Sequence, residues 1–130
     1  MTQAQAALLA ALLLFGIGGF HTALALGAPW GAFAWGGENE GQLPPRLRRG
    51  SGLLAPVIVA MGVVLLLRGG WVLPDEAPQM LLPVWAVLLF LIIQLFGALR
   101  SNSRREQRVM TPVYLAAAAL TAFVGFGTSL

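Results

Sequence analysis

Four long apolar runs, separated by short polar gaps, constrain the fold of this 130-residue chain more than any other feature. The runs cover residues 6–26, 52–73, 80–99 and 112–128. Because a helix rises about 1.5 Å per residue, about twenty apolar residues cross the hydrocarbon core of a bilayer, which is about 30 Å thick. The pattern predicts four transmembrane helices in a single membrane domain covering residues 1–130.

The composition supports a membrane location. Hydrophobic residues make up 58% of the chain and charged residues only 10%, whereas a soluble domain carries about 25% charged residues. Because the polar gaps are short, we expect neighbouring helices to be antiparallel in an up-down arrangement. The predicted fold class is therefore all-α, an integral membrane bundle of four antiparallel transmembrane helices.

The first apolar run also has two features of a cleavable signal peptide, an apolar core and a tail of small residues. It lacks the positively charged start of a signal, however, and its length of about twenty residues exceeds the usual 7–15. We expect it to remain in the protein as the first membrane helix.

The arginines give an orientation. Seven of the eight Lys and Arg side chains fall in the first and third gaps, and the exception is Arg68. The first gap holds Arg46, Arg48 and Arg49, and the third holds Arg100, Arg104, Arg105 and Arg108. Basic loops stay on the cytoplasmic side, which predicts a plasma (inner) membrane protein with loops 1 and 3 in the cytoplasm and both termini outside. Because the arginines flank membrane segments, we expect them to meet anionic lipid headgroups, with no nucleic acid partner.

Several polar residues lie within the apolar runs and form a candidate site. His21, Gln94 and Tyr114 are predicted to lie at a similar depth, roughly 5–8 Å below the cytoplasmic boundary, and Thr121 lies deeper. Polar groups inside a membrane are costly, so we hypothesise a polar cluster of these four side chains that opens toward the arginine loops. The alternative is ordinary hydrogen bonding between helices, worth about 0.6 kcal/mol per bond.

A second candidate surface lies at the predicted cytoplasmic interface. We expect Glu38 or Glu40 to pair with an arginine of the other loop, and Glu106 to pair with an arginine of the first loop; the alternative is solvated charge. The members of this surface are Trp30, Trp35, Glu38, Glu40, Arg46, Arg48, Arg49, Arg104, Arg105, Glu106 and Arg108.

Two stretches of sequence resemble a known group of proteins. The first reads GAPWG from Gly27, followed by Gly36-Gly37 and by LPP from Leu43 with Arg48. The second is Ser101 to Val113, with the SRRE motif and the Pro-Val pair. Both resemble an uncharacterised family of small four-helix bacterial membrane proteins. The resemblance covers most of the chain; it implies the topology and implies no activity.

Other patterns exclude several classes of chemistry. The chain has no cysteine and a single histidine, so we expect no thiolate or histidine-cluster metal site, and we predict no catalytic residue and no cofactor. A stripe of small residues, Gly16, Gly19 and Ala23, predicts close helix contacts on the first segment. The expected function is that of an accessory or interaction subunit or a homo-oligomer, with the lipid bilayer and either a second copy or another membrane protein as partners. The alternatives are a small-molecule or ion transporter or channel built from an oligomer and, less favoured, an enzyme acting on lipid headgroups.

Overall fold

Four α-helices, each long and apolar enough to cross a membrane, make up the computed structural model of this chain, which describes residues 1–127. Helix α1 covers Gln3–Ala25, α2 covers Pro45–Arg68, α3 covers Leu81–Leu99 and α4 covers Arg104–Phe126. Short 3-10 turns at Gly31–Phe33, Trp35–Gly37 and Pro74–Met80 lie in the connections. The predicted fold class, an all-α membrane bundle of four transmembrane helices, is confirmed.

Helix α1 begins with a capping box. Thr2 Oγ1 accepts a hydrogen bond from the Gln5 backbone N–H at 3.1 Å, and Gln5 Oε1 accepts one from the Thr2 N–H at 3.0 Å. These bonds satisfy backbone donors that have no partner within the helix. The helix therefore starts at Gln3, slightly before the predicted residue 6. Gly27, at a φ of 104°, follows its end.

The predicted bounds of the second helix, 52–73, are wrong at both ends. Helix α2 begins at Pro45, because a proline at the first helical position lacks only an N–H that would be unsatisfied anyway. Its first turns carry three arginines, which are therefore helical and not in a loop. The helix ends at Arg68, where the Gly69-Gly70 pair and the φ of 80° at Gly70 turn the chain.

The fourth helix was predicted at 112–128, and its predicted start is also wrong. Helix α4 begins at Arg104, because Ser103 Oγ caps it by accepting a hydrogen bond from the Glu106 N–H at 3.3 Å. Pro112 lies inside the helix. The predicted end at residue 128 lies outside the described residues. The third helix, predicted at 80–99, agrees with the structure to within one residue.

The bundle has one core to which all four helices contribute. Helix α1 packs mainly against α2 and α4, and α3 packs mainly against α4. Alanines at positions 6, 7, 10 and 11 of α1 are fully buried, and these small side chains let its neighbours approach closely. Ile58, Leu91 and Ala117 complete the core from the other helices.

Polar contacts connect the helices at the end of the bundle opposite the arginine-rich first turns of α2 and α4. The Gln3 amide donates to the carbonyls of Val124 and Gly127 at 2.9 and 3.2 Å, which satisfies acceptors at the end of α4. Arg68, the last residue of α2, is buried, with 7% of its surface exposed, and its Nη1 donates to the Ala77 carbonyl at 3.0 Å.

Candidate functional site

A cavity of about 330 Å³ lies at the end of the bundle that carries the arginines. All four helices and the Trp35–Gly37 turn contribute to its wall. We call it the polar cavity, because six polar or polar-tipped side chains line it: His21, Trp35, Gln94, Arg100, Glu106 and Tyr114. Ala34, Leu54 and the Gly97-Ala98 pair supply the apolar part of the wall.

The structure brings together three of the four residues of the predicted polar cluster. His21, Gln94 and Tyr114 come from α1, α3 and α4 and line the same cavity. Thr121 does not line it: its side chain is fully buried deeper in the bundle, and its Oγ1 has no hydrogen-bond partner among residues 1–127. Three of the predicted residues therefore belong to the cavity wall. The other polar side chains of the wall are Glu106, Trp35 and Arg100.

A hydrogen-bonded group of three side chains fixes His21 in the wall. Ser51 Oγ lies 3.0 Å from His21 Nδ1 and also accepts a hydrogen bond from Trp35 Nε1 at 3.0 Å. The rings of His21 and Trp35 meet edge to face with centroids 6.4 Å apart. Because Nδ1 is engaged, the second ring nitrogen, Nε2, is the atom of His21 that remains for other partners.

Ser51 and His21 form a serine–histidine pair that the sequence did not predict. A serine nucleophile must be reached by substrate, however, and its hydroxyl must be free to attack. Ser51 has none of its surface exposed and does not line the polar cavity. Its Oγ already accepts a hydrogen bond from Trp35, so the position of Ser51 suits it to orient the imidazole of His21.

Glu106 is a buried carboxylate, with 6% of its surface exposed. The predicted pairing with Arg46, Arg48 or Arg49 is wrong. Its Oε1 accepts a hydrogen bond from Ser101 Oγ at 2.6 Å, and the Gly36 backbone is its other hydrogen-bonding neighbour. Both groups are neutral.

The start of α4 departs from a regular capping box in a way that involves Glu106. In a capping box, the glutamate three residues after the cap bonds back to the N–H of the cap residue. Here the Ser103 N–H donates to Ser101 Oγ at 3.0 Å instead. Ser101 replaces the carboxylate in that contact, and Glu106 lies in the wall of the polar cavity.

Several of the polar groups in this wall lack protein partners. Within residues 1–127, neither the Tyr114 hydroxyl nor the Gln94 amide makes a hydrogen bond, and His21 bonds only through Nδ1. Tyr114 and His21 have only 4% and 5% of their surfaces exposed. Buried polar groups are normally hydrogen bonded. These groups therefore remain available to a molecule in the cavity.

The other residues of the predicted cytoplasmic interface are spread over the surface around the cavity. Trp30 stacks on Phe20, with ring centroids 6.4 Å apart. Arg48 Nε donates to the Ala25 carbonyl at 3.3 Å and so caps α1. Glu38 Oε1 accepts from the Asn102 amide at 3.4 Å, where we had predicted an arginine. The remaining members are exposed: Glu40, Arg46, Arg49, Arg104, Arg105 and Arg108.

Sequence reasoning missed Ser51, Ser101 and the place of Arg100 in the wall. Ser51 lies just before the predicted second helix, which was expected to begin at residue 52. Once α2 is extended back to Pro45, Ser51, Ala55 and Ile58 fall on one buried face at helical spacing. The capping signal Ser103-x-x-Glu106 was present in the sequence and would have placed Glu106 on a helix. The described residues hold no group of three or more His, Cys, Asp and Glu side chains suited to a metal ion.

No family model, curated protein or solved structure matches this chain. The resemblance of its two motifs to small four-helix bacterial membrane proteins therefore stays a prediction. What can be said of function comes from the bundle and its cavity.

Proposed function

We propose that this chain is a non-enzymatic accessory or interaction subunit, which contacts a second copy or another membrane protein through the outer face of α1. The supporting observation concerns three glycines of α1. A Cβ at Gly18 would lie 2.9 Å from Val59 Cγ2 of α2, so Gly18 is used inside the bundle. A Cβ at Gly16 or Gly19 would meet nothing within 4 Å, and both residues are exposed.

Small residues matter because helices in a membrane associate through close packing. An apolar groove of about 270 Å³ runs beside this face, between α1 and α4, and is lined by Leu12, Gly16, Phe20, Met110 and Val113 among others. A helix lying along Gly16 and Gly19 approaches the backbone of α1 and covers this groove. The groove and the glycines together suit a helix of a second chain.

The test is the mass of the protein in nanodiscs, for the wild type and for Gly16→Leu/Gly19→Leu. The added side chains have free space in a single chain, and leucine favours a helix more than glycine does. We expect a defined oligomer or a stoichiometric partner for the wild type, and dissociation to the single chain for the variant. Leu89→Phe, on the exposed face of α3, is the control and should behave as the wild type. A wild-type monomer without a partner would contradict the proposal.

The polar cavity favours a second function, transport of a small molecule or ion by an oligomer. The buried side chains of Leu14, Leu91, Ala118 and Val124 fill the bundle elsewhere, so we place the pathway between copies. A homo-oligomer in the nanodisc experiment is compatible with both functions, whereas a different partner chain favours the subunit. A monomer contradicts both.

We also propose that the protein lies in the inner membrane of a bacterium, with the arginine-rich first turns of α2 and α4 on the cytoplasmic side and both termini outside. Support comes from the positions of the arginines in the fold. Six of them lie in the first turns of α2 and α4, beside the interface. Arg68, at the opposite end of α2, bonds to a backbone carbonyl. Cationic side chains at the cytoplasmic interface meet anionic headgroups.

A further inference from the structure

The polar cavity has a distribution of charge that specifies a class of ligand. Its anionic group, Glu106, is 6% exposed, whereas its cationic group, Arg100, is exposed at the surface. The wall therefore carries a buried negative group and an accessible positive group. The hydrogen bonds that Glu106 accepts come from neutral groups, so its charge is free to meet a cation.

The residues beside Glu106 suit an ammonium group. The Trp35 and Tyr114 rings belong to the same wall, and aromatic faces attract cations. The Tyr114 hydroxyl and the Gln94 carbonyl can accept hydrogen bonds from an N–H donor. Ser51 holds the His21 ring through Nδ1, which leaves Nε2 for a further partner.

The surroundings of the cavity disfavour a simple cation. Arg104, Arg105 and Arg108 are exposed on the helix that carries Glu106, and Arg100 lies in the wall itself. This positive field repels a small cation and attracts a molecule that also carries an anionic group. Guanidinium groups bind phosphate and carboxylate well.

We propose that the polar cavity binds a small zwitterion, with its ammonium group at Glu106 and its phosphate or carboxylate group at Arg100. The volume, about 330 Å³, lies at the lower end of the range of roughly 300–1,000 Å³ that is usual for small-molecule sites. The ligand is either a soluble ammonium phosphate or the headgroup of an aminophospholipid, since both present the same two charges. The site lies within one chain and depends on neither function proposed above.

The test is calorimetric titration of the full chain in maltoside micelles with four probes. O-phosphoethanolamine and a short-chain phosphatidylethanolamine carry both charges, whereas ethylamine and inorganic phosphate carry one each. We expect a zwitterion to bind, and each single-charge probe to bind at least about tenfold more weakly, because one charged contact is lost. Preferential binding of the lipid identifies a headgroup site, and preferential binding of O-phosphoethanolamine identifies a site for a soluble molecule.

Variants assign the two ends of the site. Glu106→Gln keeps an oxygen acceptor for Ser101 and removes the charge, so it should weaken zwitterion binding by about tenfold or more. Arg100→Gln should weaken zwitterions and phosphate but leave ethylamine unaffected. Glu40→Gln and Arg108→Gln change exposed charges outside the wall and are the matched controls. If Glu106→Gln does not fold, Tyr114→Phe, which keeps the shape of the side chain, tests the same end.

Three results would overturn the proposal. The first is the absence of binding by either zwitterion. The second is phosphate binding as tightly as the zwitterions, which would reveal an anion site at Arg100 only. The third is zwitterion affinity unchanged by both Glu106→Gln and Tyr114→Phe. None of these results depends on the mass of the protein in nanodiscs. The nanodisc experiment therefore tests the subunit and transport proposals separately from the zwitterion site.

Discussion

At the scale of single residues, the arrangement of the cavity depends on a few small polar side chains beneath its wall. Ser51 holds His21 and Trp35, and Ser101 holds Glu106. Each serine is buried, and each bonds to a larger polar group that reaches the cavity. Because both serines are buried in the protein, a lost partner leaves a polar group unsatisfied.

Replacing Ser51 tests how much these hydrogen bonds contribute to stability. Ser51→Ala leaves His21 Nδ1 and Trp35 Nε1 without their shared partner, so we expect a loss of about 1–2 kcal/mol in the free energy of unfolding. The measurement is reversible unfolding in mixed micelles, followed by tryptophan fluorescence. Thr22→Val is the control, because the Thr22 hydroxyl bonds only to the Gly18 carbonyl of its own helix. Equal losses for the two variants would show that the Ser51 contacts contribute no more to stability than the Thr22 bond within one helix.

At the scale of helices, the sequence predicted the number and type of elements but not where two of them begin. Apolar runs mark the part of a helix that lies in lipid, and each predicted run overlaps one of the four helices. The first turns of α2 and α4 carry arginines, so hydropathy assigned them to loops. Local signals at Pro45 and at Ser103 start these helices, and they are independent of hydropathy.

The difference between apolar runs and the turns outside them also explains which residues of the candidate site were predicted. His21, Gln94 and Tyr114 were identifiable because they interrupt apolar runs. Ser51 and Glu106 were misplaced because they lie on the helical turns that hydropathy missed. The partners of Glu106 could not be predicted, because they depend on how the Trp35–Gly37 turn meets the start of α4.

The early start of α4 leads to a prediction for its cap. Ser103→Ala removes the acceptor for the Glu106 N–H, which should cost about 1 kcal/mol and fray the first turn. Hydrogen exchange followed by mass spectrometry should show faster exchange in peptides covering residues 104–108. Asn102→Ala, which loses only a contact of 3.4 Å to Glu38, should exchange as the wild type does. A helix that begins at Pro112 would show fast exchange in this segment already in the wild type.

At the scale of the whole molecule, the bundle is polar and cationic at one end and held by backbone contacts at the other. The polar cavity, the Trp35–Gly37 turn and six helical arginines share the first end. The second end has the Gln3 contacts to α4 and the Arg68 contact to the Pro74–Met80 turn. In the proposed orientation, the polar cavity lies at the cytoplasmic end of the bundle.

The orientation can be measured directly, because the natural chain has no cysteine. Single cysteines at Glu40 and Asn102 report on the arginine-rich end, and one at Gln79 reports on the other; all three positions are exposed. In intact spheroplasts, an impermeant maleimide should label Gln79→Cys and should label the other two only after permeabilisation. The reverse pattern would contradict the proposed orientation.

The packing of α1 against α4 has a consequence for the order in which the protein assembles. Helix α1 is the first to be synthesised and α4 the last, yet α4 covers one side of α1 and receives both hydrogen bonds of the Gln3 amide. Until α4 enters the bilayer, the side of α1 that α4 covers lacks this neighbour, and the Gln3 amide has no carbonyl of α4 to bind. Closure of the bundle is therefore a late step of biogenesis, completed when the end of α4 reaches the start of α1.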